Sequence, residues 1–159
     1  MFVGDEVRAA ATQEAASGRL AALARGKTLT QAAQAAWDSG MPDPGYPGPL
    51  PAVFSRALWH GPRRRGPTTV LVLRWEAADP EGGAFPALDA DLVLAPDADR
   101  ATLVGLTGVF RFPPGTPSFG HSAAATVIRT FLARIASAID DGNAFVAGTN
   151  GRRSPCSSR

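Results

Sequence analysis

The stretch Thr68–Phe112, TTVLVLRWEAADPEGGAFPALDADLVLAPDADRATLVGLTGVFRF, decides the fold. Its first run, Val70 to Leu73, leads into Arg74, Trp75 and Glu76, and the turn-forming Ala78–Gly83 segment then breaks it. In the second run Leu88, Ala90, Leu92 and Leu94 hold one parity while Asp89 and Asp91 hold the other. A break at Pro96–Asp99 precedes a third run, in which Val104, Leu106, Phe110 and Phe112 share a parity opposite Thr107 and Arg111. Period two predicts three consecutive antiparallel strands with one wet face and one dry face. On the same parity Trp75 points inward, whereas Arg74, Glu76, Asp89, Asp91 and Arg111 point out. Opposite charges then meet across strands and help to set the register. The dry face requires an apolar cover. Val127, Ile128, Phe131, Leu132, Ile135 and Ile139 recur at spacings of three and four between Ser122 and Ile139, which predicts the helix that supplies it.

Upstream, Phe2 to Ala11 is a candidate first strand interrupted by Asp5, Glu6 and Arg8. Two short helices are expected next. Glu14 to Arg25 carries Ala16, Leu20, Leu23 and Ala24 on one side and ends at Gly26. The second starts with Thr28 as N-cap and Gln31 three positions on, buries Ala32, Ala33, Ala36 and Trp37, and stops at Gly40 and Pro42. Met41 to Pro51 reads as a proline-stiffened loop around Tyr46 and Leu50, and Ala52 to His60 as a further strand. Gly61 to Pro67, with Arg63, Arg64 and Arg65, is expected to be a solvated turn. Pro113, Pro114 and Pro117 make a hard corner before the long helix. Asp140 and Asp141 are unfavourable at a helix C-terminus, so the helix is expected to end there. The domain then spans residues 2–140, and 141–159 form a loose tail.

A chain of 159 residues with 45% hydrophobic content suits one domain. Arg152, Arg153 and Arg159 lie in the tail; without them the net charge of +2 becomes −1, which argues against a nucleic-acid partner. No run reaches the roughly 18 apolar residues of a spanning segment, and Met1 to Glu6 lacks a leader pattern, so a soluble cytoplasmic monomer or weak homodimer is expected. Cys156 is the single cysteine, set among Ser154, Ser157 and Ser158, so no intrachain disulfide forms and no nucleophile's pocket surrounds it.

These elements make an α+β architecture in which a twisted antiparallel sheet bends around one long C-terminal helix. At Thr69–Glu76, Phe85–Leu94, Leu103–Phe112 and Thr126–Ile139 the chain resembles the START-like (SRPBCC, Bet v 1-like) superfamily with its helix-grip fold. It is most similar to small actinobacterial members, in which a strand like Arg74–Trp75 leads to a segment like Phe85–Asp91. The order of elements matches from Phe2 to Asp140. Near the start the chain departs from the family pattern: Gln13–Ala16 stand where a proline-led segment is usual, and the nearby tryptophan is Trp37. The resemblance implies a cavity between sheet and helix that takes a small hydrophobic ligand such as a lipid or polyketide.

The expected lining is Trp75, Leu92, Leu106, Phe110, Ile128 and Phe131, with Tyr46 or His121 as a polar group at the mouth. Noncatalytic binding is the main expectation, without cofactor. A polyketide cyclase or aromatase-like enzyme is the alternative, with His121 as proton donor, Arg111 as electrophilic clamp and Tyr46 as positioning group if the three converge. A third possibility is an interaction or structural module whose bulky inward groups fill the concavity. His60 and His121 are the only histidines and no cysteine lies near them, so a histidine-rich metal site is excluded by count, whereas a mixed histidine and carboxylate site is not. Ser118 and Ser122 lack the nucleophile-elbow pattern, and Gly115 and Gly120 form no phosphate loop.

Overall fold

The structure is a computed structural model and describes residues 1–40, 58–76, 87–98, 100–111 and 120–148. The alternating runs form a five-stranded antiparallel sheet, with β1 (Phe2–Ala9), β2 (Leu58–Arg65), β3 (Thr68–Glu76), β4 (Ala87–Ala98) and β5 (Ala101–Arg111) arranged in the order β1-β5-β4-β3-β2. Two helices, α1 (Gln13–Arg25) and α2 (Thr28–Gly40), follow β1, and the long helix α3 (Gly120–Gly148) follows β5. The sheet curves around the helices, as the dry face requires. Leu71, Leu73 and Trp75 of β3, Leu88, Leu92 and Leu94 of β4, and Val104, Leu106 and Phe110 of β5 are buried on one side. Val127, Ile128, Phe131, Leu132, Ile135 and Ile139 of α3 are buried against them, and Arg129 and Arg134 are exposed. Each large side chain buried in this way contributes about 1.5–3 kcal/mol relative to exposure.

Glycine admits a close approach of two strands. Gly108 pairs with Ala90 across β5 and β4. A Cβ built on it would lie 2.4 Å from both Ala90 Cβ and the Asp89 carbonyl oxygen. Ordinary cross-strand Cβ atoms are about 4.5–5.5 Å apart, so only a residue without a side chain admits this approach. At the end of α2, a Cβ on Gly40 would lie 2.4 Å from Val127 Cγ2, so the α2–α3 crossing uses the same device.

α3 is tied along its length. Its close backbone approaches are to β1 and α2, with fewer to β5, and β3 and β4 lie farther away. The Arg129 guanidinium reaches Asp5 at 3.4 Å, because Asp5 is in register with inward-facing Leu106. Asp140 Oδ1 accepts the Ala10 N–H at 2.7 Å, and Arg19 donates to the Ile139 carbonyl. Thr12 caps α1 by accepting from the Ala15 N–H, and Gly26 closes it by donating to the Ala22 carbonyl.

Several boundaries differ from expectation. Arg63, Arg64 and Arg65 are exposed, as expected of arginine, but they belong to strand β2 and pair with Val70, Thr69 and Thr68. The turn is only Gly66–Pro67, with Gly66 at φ +60°, the geometry a two-residue hairpin with glycine in first place uses. A register shift between His60 and Arg63 accommodates Pro62, which has no N–H for a ladder. β4 runs through Pro96 to Ala98, so the second break is shorter than the Pro96–Asp99 expected. Lys27 rather than Thr28 precedes α2: its carbonyl accepts the Gln31 N–H, and Thr28 is already helical. α3 continues past Asp140–Asp141 to Gly148, so the helix does not end where the sequence expectation placed it. Those aspartates are then not in the last turn, and the objection to their charge there lapses.

By length and composition Ser122–Asp141 is apolar enough to cross a bilayer, contrary to the sequence expectation, yet half of it is buried inside the domain as the core helix. Ala52–Ala57, the Met41–Pro51 loop, Phe112 and Cys156 lie outside the described residues.

Candidate functional site

The backbone of α3 approaches β1 and α2 more closely than β3 and β4, so the wedge between α3 and the far half of the sheet is spanned by side chains. Large aromatic groups bridge that wedge. The rings of Trp75 on β3 and Phe131 on α3 meet edge to face, centroids 4.8 Å apart at 82°. Trp37 on α2 stacks on Phe110 of β5 at 5.9 Å and 23°. Both distances lie in the range in which aromatic pairs attract beyond their shared burial.

Six of the sequence-predicted lining residues are brought together here. Trp75, Leu92, Leu106, Phe110, Ile128 and Phe131 all belong to one apolar cluster, and none is more than 1% exposed. At that exposure a water-sized sphere finds almost no room beside them, so the wedge is filled by side chains in this conformation. Trp37 is the lining residue that sequence reasoning missed for the site, although it was placed on the apolar face of α2. Only its pairing with Phe110 gives it a place beside the wedge.

The polar candidates do not converge. Arg111 lies on the opposite, wet face of the sheet and is half-exposed, with its guanidinium on the Asp89 carboxylate. Arg74 approaches the other oxygen of Asp89 at 3.6 Å, so the cross-strand charge pairing expected from parity is present. His121 falls in the first turn of α3, its side chain outside those described, and Tyr46 lies outside the described residues. Among the described residues the buried polar side chains are Thr69 and Thr102. Thr69 is bonded to Ser17 at 2.8 Å, and Thr102 donates to the Ala11 carbonyl at 2.7 Å. Neither is a free acid or base. Among the described residues no group of His, Cys, Asp and Glu is placed to hold a metal ion.

No protein-family profile and no curated protein sequence matches the chain. Solved structures do. A conserved protein from Geobacillus kaustophilus superposes with a TM-score of 0.52 at 14% identity, covering 89% of this chain and 97% of that one. The lipid transfer and protein localization domain of human StarD13 gives 0.53 at 14% identity, covering 87% and 76%. The Zhui aromatase/cyclase of a Streptomyces strain is a looser match, at 0.43 and 11% identity over 95% and 98%. Identities this low establish a shared fold alone: a curved antiparallel sheet around helices, the START-like helix-grip architecture.

Proposed function

We infer that this chain binds a small apolar molecule, without catalysis, in the wedge between α3 and strands β3–β5, where Trp75, Phe110 and Phe131 form the wall. The observation that carries this reading is the filling of the wedge by aromatic side chains on different elements, Trp75 against Phe131 and Trp37 against Phe110. To admit a ligand such a contact would have to part by rotation about side-chain bonds, which leaves the sheet ladder intact. The space it would open is apolar, so burial of ligand surface would supply the affinity at roughly 25 cal/mol per Å² before ordering costs. The filled conformation lowers the apparent affinity by the fraction of molecules that are open.

The complete burial of the same side chains favours a second reading, a solid core in a protein that works through its surface. A cyclase or aromatase-like activity would need acid-base groups from Tyr46 and His121, since Arg111 is engaged on the other face.

Native mass spectrometry of the purified protein, with extraction of whatever copurifies, tests these readings together. The recovered compound, or dodecanoate where none is recovered, is then titrated while tryptophan fluorescence is followed. Micromolar binding that Phe131→Ala and Phe110→Ala change at least about fivefold supports the wedge. No binding by the native protein, with benzene taken up only by Phe131→Ala, identifies a solid core whose void was created by the substitution. Conversion of the bound compound to a new mass would replace binding by catalysis.

A further inference from the structure

Strand β2 closes one side of the sheet, where β3 is its partner. Its last three residues, Arg63, Arg64 and Arg65, are exposed, and no hydrogen bond or ion pair joins their guanidiniums to another described residue. Directly opposite residues of a ladder share a face, and neighbours along a strand alternate. Arg63 and Arg65 therefore stand with Val70 and Thr68 on the wet face, whereas Arg64 stands with Thr69 on the face that α1 covers through Ser17. The two-residue turn, with Gly66 at φ +60° and Pro67 fixed by its ring, holds all three at the end of the edge strand. The cations are thus splayed to both sides of one strand.

The acids around them do not cancel this charge. Asp91 and Asp97 are on β4, two strands from β2, and the register puts each about 12 Å from the closest of the three arginine positions. That exceeds the roughly 8 Å over which exposed charges act at physiological salt. Asp97 is in addition held by Arg8 at 2.8 Å. Glu76 lies toward the other end of β3, about 20 Å along the strand from Val70. Helix α1 brings Glu14, and with it Arg19 and Arg25. After β4, Asp99 adjoins the exposed Arg100 in sequence. This corner of the sheet is therefore positive although the body of the chain is not.

A rigid duplex or a single phosphate group meets one side of a strand, whereas mobile headgroups reach both sides of an edge that enters among them. We propose that the end of β2, with its Gly66–Pro67 turn, docks on an anionic lipid surface, where Arg63 and Arg65 take headgroup phosphates or carboxylates on one side and Arg64 takes them on the other. An arginine near such a surface strengthens binding about fivefold, so the three together give on the order of a hundredfold over a neutral surface. The attraction decays within a Debye length, so it is lost at high salt.

The test is sedimentation of the full chain with vesicles of equal parts phosphatidylcholine and phosphatidylserine, and with vesicles of phosphatidylcholine alone. The expected result is binding to the anionic vesicles on the order of a hundredfold stronger than to the neutral ones, and abolished in molar salt. Arg63→Gln and Arg64→Gln should each weaken it about fivefold, and glutamine at all three positions should reduce it to the neutral level. Arg134→Gln, the same change of charge on the exposed side of α3, should leave it unchanged. All these side chains are exposed, so an unchanged urea midpoint is the check that the variants are folded. Equal binding to both vesicles, native binding by the triple variant, or a loss with Arg63→Gln but not with Arg64→Gln would each overturn the proposal. So would a loss with Arg134→Gln as large as with Arg64→Gln, or tighter binding to a short DNA duplex than to the anionic vesicles.

Discussion

Replacing Gly108 by alanine should destabilise the domain, although the same change at an unconstrained position usually stabilises. The unfolded chain loses conformational freedom on Gly→Ala, a gain of about 0.4–1 kcal/mol where the native geometry admits the methyl. At Gly108 it does not. The new Cβ would lie 2.4 Å from Ala90 Cβ, 2.4 Å from the Asp89 carbonyl oxygen and 2.7 Å from Ala90 Cα. Two of these obstacles are backbone and the third is a methyl with no alternative rotamer, so relief requires β4 and β5 to separate around the Ala90–Gly108 pair. Overpacking of this kind costs about 1–3 kcal/mol, and one weakened ladder bond adds about 1 kcal/mol. The net expectation is a loss of about 1–3 kcal/mol. Urea unfolding followed by tryptophan fluorescence reads it as a midpoint lowered on the order of 1 M with an unchanged slope. Adding Ala90→Gly removes one of the three obstacles and leaves the two backbone atoms, so it should restore only part of the loss. A Gly108→Ala protein as stable as the native one would refute the close β4–β5 approach.

Other expectations follow from single contacts. Gly40→Ala should cost about 1–3 kcal/mol in the same assay, because its methyl would meet Val127 and the Ala123 carbonyl oxygen and push α3 from α2. Phe131→Ala, which empties the ring facing Trp75, should cost about 3–5 kcal/mol by urea unfolding, and benzene should recover part of it by occupying the void. Thr102→Val removes the buried donor to the Ala11 carbonyl and should cost about 1–3 kcal/mol, with faster amide exchange at the start of α1 as the local sign. Asp89→Asn should cost below about 1 kcal/mol at low salt and nothing measurable in molar salt, since both of its arginine contacts are half-exposed.

Much of this molecule follows from short-range pattern. Alternation of Leu88, Ala90, Leu92 and Leu94 with Asp89 and Asp91 points to a strand with one dry face, and the same period in the two neighbouring runs places Trp75, Leu106 and Phe110 inside and Arg111 outside. The three-and-four spacing from Val127 to Ile139 likewise permits only one buried stripe on α3. Side-chain period is a local property of the backbone, so it is legible without knowing the neighbours. Where it failed, the deciding partner was remote. Arg63 to Arg65 have the composition of a turn and become strand because β3 offers them a ladder. Asp140 has the charge of a helix terminator and stays within α3, where it accepts the Ala10 N–H. Asp5 breaks the hydrophobic pattern of β1 and still faces α3, because its pairing with Leu106 fixes its side and Arg129 meets it there. The six expected lining residues belong to one buried cluster, and their periodicity does not say whether such residues enclose a space or fill it. That is decided by how α3 packs against the sheet as a whole, and no residue's own preference contains it.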